Sequence, residues 1–383
     1  MPPLARHRYA GAASRRPAAA LPCAMYPSML VSELPSSDPS ELLAAARRVH
    51  APPPMPDVSP ALALLTSPTL HRLLPWPLIE ALGRLPALAL WHTRAQVREN
   101  ARATMRAIVG GTERAGDAER LARAHVIEKH LLRLQFWQQP RSAGIDERSR
   151  ENLRAALSSG RGVVLSSVHL GPYFDVGFPL MHLDDRPSYA VAGDWFFEPP
   201  QPNYQGRRLA FWWAKEQARN HHPLPRSAET IQAMLAAGER VVLYFDIIGR
   251  RETVFLGKPM RLADGTARLA LATGALVLPV RARRVGARPF IDVSPALDPG
   301  DFAGIGELHQ ALADIHSALV LELPETLEDP RRAGGWEHGA TAERWLAPSE
   351  VQKAAEAAAR PAARDAGEGA PPAQGSSTIF PRV

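Results

Sequence analysis

Cysteine is nearly missing, with one residue, Cys23, in 383. No disulfide framework is therefore available, and neither a cysteine-built metal site nor a thiol nucleophile is expected. Long apolar runs are missing too. No stretch reaches the roughly 18 to 20 residues a bilayer span requires, and the start of the chain holds no uninterrupted hydrophobic segment like that of a secretory signal. The expectation is a protein of a reducing compartment, soluble or peripheral to a membrane. Clustered lysine is scarce as well. The formal charge is +6, but the basic residues are mostly arginines scattered along an Ala-, Pro- and Arg-rich chain. That pattern lacks the tracts of a nucleic-acid footprint, so nucleic acid is not an expected partner, whereas mild attraction to anionic lipid is. There is no Gly-x-Ser-x-Gly elbow, and Ser166 and Ser167 sit inside an apolar run, which disfavours a serine hydrolase. His221 and His222 lack partners at ligand spacing, so no metal is expected.

What is present suffices for a core, since 45% of the residues are hydrophobic. Residues 1–54 and 349–383 are rich in Ala, Pro, Ser, Gly and Arg with little periodicity and read as disordered ends around a single domain over 55–348. One helix is expected within the leader, in "SDPSELLAAARRV", capped by Ser37 or Asp38 with Pro39 at its first position. From Pro60 to Trp91 a leucine-dense stretch is punctuated by Pro68, Pro75, Pro77 and Pro86, which predicts short helical pieces. These either pack on their own core or lie in the headgroup zone of a membrane, with His71, Arg72, Arg84 and the tryptophans at the wet boundary. Two stronger helical patterns end at Gly110 and Pro140, completing a helical preface over 55–155.

After a helix closed by Gly160 and Gly162, the texture over 156–348 changes to short β-rich runs alternating with helices. This is the signature of an α/β domain: a central, mostly parallel or mixed sheet flanked by helices. In such sheets reactive groups gather at the carboxyl ends of the strands. His169 directly follows the run Val163–Val168, and Asp246 closes "VVLYF" in the same way. A neutral imidazole suits a general base at neutral pH, and Asp175, six positions on, is placed to fold back over the turn at Gly171 and Pro172 and orient the ring. His309 and Asp314 offer a rival pair, but on one helix five steps of about 100° leave them some 140° apart.

The segments "SRENLRAALSSGRGVVLSSVHLGPYFDVG" and "GERVVLYFDIIGRRETVFLGKPMRLADGTARLALATGALVLPVRARR" resemble the lysophospholipid acyltransferase superfamily, in particular the late (lauroyl and myristoyl) acyltransferases of bacterial lipid A assembly and the phosphatidylinositol mannoside acyltransferases. The likeness runs from about Trp91 to Trp345 and includes the Pro324–Glu325 segment. That family pairs its histidine with an acid after four intervening residues; here Phe174 holds that position and Asp175 follows one residue late. The resemblance implies an acyltransferase, dependent on no cofactor, that moves a fatty acyl group from acyl carrier protein or coenzyme A to a hydroxyl or amine of a lipid or glycolipid. His169 would be the base and Asp175 its orienter. Asp246, Arg250 and Arg251 would line the acceptor or phosphate side, Gly257 would belong to the Phe-x-Gly element, and Glu198, Arg207 and Arg208 would fall near a polar second motif. Backbone N–H groups after His169, or Arg250, would meet the oxyanion. Trp195, Phe196, Phe197, Trp212 and Trp213 would wall an acyl channel, or simply fill the core. The expected place is the inner face of the cell membrane. The displaced acid leaves a second possibility, a catalytically impaired lipid-binding accessory protein.

Overall fold

The computed structural model describes residues 38–47, 52–137, 144–176, 186–193, 196–197, 199–218, 220–286 and 288–328. Helix α1 (Pro39–Ala46) is capped by Asp38, whose carboxylate accepts the Ser40 N–H at 2.8 Å, with Pro39 at the first position. Leu42 of this helix is buried, and Arg47 just beyond it pairs with Glu239 at 2.5 Å, so the folded unit starts ahead of the expected boundary at 54.

Helices α2 (Pro60–Leu65) and α3 (Pro68–Leu73) both begin on a proline behind a capping serine. Pro75 and Pro77 sit at the start of α4 (Trp76–Thr93), as expected, but Pro86 lies inside it without breaking it. The reason is packing against α6 (Ala118–Gln135): a Cβ added at Gly83 would stand 2.6 Å from Leu131 Cδ2, so the two helices approach closely and hold α4 together across the missing N–H. Between them runs α5 (Ala95–Val109), which buries Met105, Ile108 and Val109. Helix α7 (Glu147–Ser158), capped by Asp146, leads into the sheet.

The sheet takes the order β3-β2-β4-β1-β7-β8, with β1 (Val163–Ser167), β2 (Ser188–Ala192), β3 (His221–Pro225), β4 (Arg240–Tyr244), β7 (Leu276–Val285) and β8 (Arg288–Val293). All neighbours are parallel except β7 and β8. Between β4 and β7 a separate antiparallel hairpin, β5 (Ile248–Phe255) with β6 (Lys258–Leu262), packs on α11 (Ile305–Glu322) and sends Phe255 and Leu262 into the core. The connecting helices are α8 (Tyr204–Gln217), α9 (Ala228–Ala236) and α10 (Gly265–Thr273), and α11 closes the described fold. Both faces of the sheet are covered. Val164 and Val168 enter a core shared with α4, α5, α6, α9, α10 and α11, while Val163 and Leu165 enter a second core with Trp137, Phe211, Trp212 and Trp213. That is why β1 reads as a continuous apolar run rather than an alternating one.

Candidate active site

Register alone brings two functional groups together. Strands β1 and β4 are parallel neighbours with Ser167 opposite Tyr244, so His169 and Asp246, each two residues past those positions, emerge side by side at the carboxyl edge. Asp246 Oδ1 lies 2.8 Å from His169 Nδ1, and Asp246 Oδ2 accepts the His169 backbone N–H at 3.0 Å. The bidentate contact fixes ring and backbone together and leaves Nε2 without a hydrogen-bond partner among the described residues. Tyr244 stacks on the imidazole at 4.3 Å between centroids, and Tyr173 meets its edge at 4.8 Å. Burial pulls the imidazole pKa down, but the charge and hydrogen bond of Asp246, aided by Glu328, outweigh it and leave it above 6.5. Burial pushes Asp246 up, and His169 more than reverses that, so the carboxylate stays ionised.

This corrects the expected pairing. Asp175 lies in a 3-10 turn (Tyr173–Asp175), and its carboxylate is drawn to Lys215 Nζ of α8 at 2.6 Å, both groups buried. The orienting acid comes from the next strand in space rather than from the next turn in sequence. Asp246 is thus a partner of the imidazole rather than a wall of the acceptor site.

The turn after His169 is pinned by the segment beyond α11. Gly171 N–H donates to Thr326 O at 3.0 Å, Glu328 N–H donates to His169 O at 2.8 Å, and Leu170 bridges Leu327. Gly171 is required here, because it adopts φ +59° and a Cβ would stand 2.5 Å from Ala282 O. Tyr173 adds a phenol donating to Glu328 Oε2 at 2.6 Å. Of the N–H groups after His169, that of Leu170 is taken by Val168 O and that of Gly171 by Thr326 O, while Asp246 takes the N–H of His169 itself.

Two cavities meet at His169. One, of about 480 Å³, is lined by α4, α6, the 171–175 turn and Glu325–Glu328. The other, of about 780 Å³, lies between α8, α9, α10 and the strand ends, with Leu209, Ile231, Leu243, Ile248 and Leu269 in its wall. Phe136, Tyr173, Phe174, Gln205 and Arg208 line both. Arg208 is held over Phe136 at 4.8 Å and Phe174 at 4.5 Å and makes no ion pair among the described residues. A guanidinium positioned by aromatic faces keeps all its N–H groups for something else.

The remaining expectations divide. Arg207 is not in the site, since it donates to Thr66 Oγ1 at 2.7 Å and to Pro56 O at 3.1 Å. Arg251 pairs with Asp264 at 2.9 Å, Arg250 is exposed on β5, and neither lines either of these two cavities. Gly257 turns the hairpin at φ +70°, where a Cβ would stand 2.1 Å from Gly111 O, so its role is structural. Phe196 and Trp212 line the larger cavity, while Trp213 and Phe197 pack edge to face in the core behind it. Glu198 and Trp195 lie outside the described residues. His309 and Asp314 do not meet, Asp314 accepting instead from Gln310 Nε2 at 2.8 Å.

A serine–histidine contact that sequence spacing did not reveal joins Ser166 Oγ to His316 Nε2 at 2.9 Å. Both residues are 0% exposed, neither lines either of the two cavities, and no group among the described residues bonds His316 Nδ1, so the pair is sealed structure. No group of His, Cys, Asp and Glu able to hold a metal occurs among the described residues.

No protein-family model matches the chain, and no curated protein does. Among solved structures the chain is similar to the crystal structure of the 1-acyl-sn-glycerophosphate (LPA) acyltransferase, PlsC, from Thermotoga maritima, at 14% identity over 65% of this chain and 98% of that one, with a TM-score of 0.33.

Proposed function

We propose that the protein is an acyltransferase that moves a fatty acyl group from the thioester of acyl carrier protein or coenzyme A to a hydroxyl or amine of a lipid or glycolipid. One observation carries the reading: a histidine oriented by an ionised aspartate at 2.8 Å, its second nitrogen unpartnered, where two largely apolar cavities converge. His169 Nε2 takes the proton of the acceptor hydroxyl as its oxygen attacks the thioester carbonyl. Asp246 steadies the imidazolium that forms. Arg208, which lines both cavities and makes no ion pair among the described residues, meets the negative charge on the carbonyl oxygen. Collapse of the tetrahedral species breaks the C–S bond, and the imidazolium returns its proton to the departing thiolate. The larger cavity suits the acyl chain, with Phe196 and Trp212 in its wall.

The smaller cavity opens beside an apolar face. Leu64, Leu65, Leu73, Leu78, Leu82 and Leu85 are exposed on α2, α3 and α4, and Leu65 and Leu82 also line the cavity. Such a face suits peripheral contact with the inner surface of the cell membrane, from which a lipid acceptor would enter. No helix among the described residues is long and apolar enough to cross a membrane. The accessory-protein reading rests on the displaced acid, and Asp246, at 2.8 Å from the imidazole, favours the active enzyme instead. Thioester consumption by purified protein tests the proposal: His169→Ala should lower turnover by about 100- to 10,000-fold. Unchanged turnover in that variant refutes the base.

A further inference from the structure

The second cavity carries hydrogen-bond donors that the chemistry at His169 does not use. Part of its wall is the start of α10, where Asp264 stands at the N-cap position without making a capping bond, its carboxylate being drawn to Arg251 Nε at 2.9 Å. The N–H groups of Gly265, Thr266 and Ala267 consequently make no hydrogen bond among the described residues. A Cβ built at Gly265 would meet nothing within 4 Å, so the backbone faces open space there. Beside it Thr266 is 4% exposed yet lines the cavity, and its hydroxyl has no partner among the described residues. Arg226, in the turn before α9, lines the same cavity, is exposed and makes no ion pair among the described residues.

Three free backbone N–H groups, a buried unpartnered hydroxyl and an uncommitted guanidinium form a set dominated by donors. It fits a ligand rich in acceptors and negative in charge. Guanidinium and helix start together match phosphate, whose oxygens accept from several directions at once. We propose that the start of α10, with Thr266 and Arg226, is a phosphate subsite of the second cavity. The proposal rests on the acyl-transfer reading for its biological source, because two reactants would bring such a group: the phosphopantetheine arm of the thioester donor and a phosphorylated lipid acceptor.

Titration of the full-length protein with inorganic phosphate by calorimetry tests the subsite directly. Wild type and His169→Ala should bind alike, while Thr266→Val and Arg226→Gln should each weaken binding by about tenfold or more. Arg226 is exposed, so its variant keeps the fold even if Thr266→Val does not. Absence of saturable binding to wild type, or binding unchanged in both variants, overturns the subsite. A rise in KM for the thioester in Arg226→Gln assigns the group to the donor arm, and a rise in KM for the acceptor assigns it to the lipid. If neither KM moves, the subsite has no part in substrate binding and the proposal falls. Phosphate binding by a wild-type protein that consumes no thioester would defeat acyl transfer alone. Turnover that depends on His169 without phosphate binding would defeat the subsite alone.

Discussion

An imidazole that is buried and also touches a carboxylate is pulled in opposite directions, and the balance sets the pH at which it can act as a base. Burial favours the neutral ring, but Asp246 favours the cation by more, so His169 titrates above 6.5. A base must be neutral to accept a proton. The rate should therefore rise with pH through an apparent pKa above 6.5, read from the acid limb of kcat/KM. Asp246→Asn removes the larger raising influence and leaves the burial and Glu328, so the same limb should move to lower pH while kcat falls by about 100-fold or more. An acid limb unmoved by that substitution would show that Asp246 does not govern the ring. Arg208 should separate from both: Arg208→Met should lower kcat and leave the acid limb in place, because its guanidinium stacks on Phe136 and Phe174 and makes no contact with the imidazole.

Elements decide which carboxylate reaches the histidine. The 3-10 turn Tyr173–Asp175 carries Asp175 to α8, where Lys215 holds it in a buried ion pair. Removing the cation breaks a buried pair, so Lys215→Met should cost about 3 to 5 kcal/mol in denaturant unfolding. The double variant Lys215→Met with Asp175→Asn should recover part of that loss, since the buried carboxylate charge is removed with its counter-charge. Equal destabilisation in the single and double variants would argue against the pair. The strands β1, β2, β4, β7 and β8 and the helices α5, α6, α7 and α9 were legible from apolar runs and caps. Helix α8, strand β3, the β5–β6 hairpin and the full length of α4 were not. Strand β3 reads "HHPLP", and its prolines argue against a strand until the sheet order places it at an edge, where a missing N–H is tolerated. Strand β5 carries Arg250, Arg251 and Glu252 in succession, which hides its strand pattern, and Pro86 concealed the continuity of α4.

At the scale of the whole molecule, buried histidines set the response to acid. His309 and His316 are held near a pKa of about 4 by burial, against 6.5 when unfolded. The unfolded chain therefore takes up protons first as pH falls. The contribution of these two rings should be full above pH 6.5 and decline between 6.5 and 4, by an amount on the order of 3 kcal/mol per ring. Urea titrations at pH 7 and pH 5 read the difference, and His316→Gln should flatten it. The exposed leucines make α2, α3 and α4 apolar toward solvent. Leu73→Ser combined with Leu85→Ser should reduce sedimentation with anionic lipid vesicles by more than about tenfold, and leave thioester turnover on a soluble acceptor unchanged. Sedimentation equal to wild type would remove the membrane from the proposal.

The sequence by itself determined the alternation of strands and helices, the absence of disulfides, and the placing of His169 and Asp246 at strand ends. Each of these follows from local pattern, in which apolar period, capping residues and prolines act over a few positions. Only the tertiary structure decided that β1 and β4 lie side by side in register, which makes Asp246 rather than Asp175 the partner of the imidazole. Strand order depends on how the helices cover both faces of the sheet. Two residues 77 apart in the chain become neighbours through that packing, and nothing in the spacing between them records it.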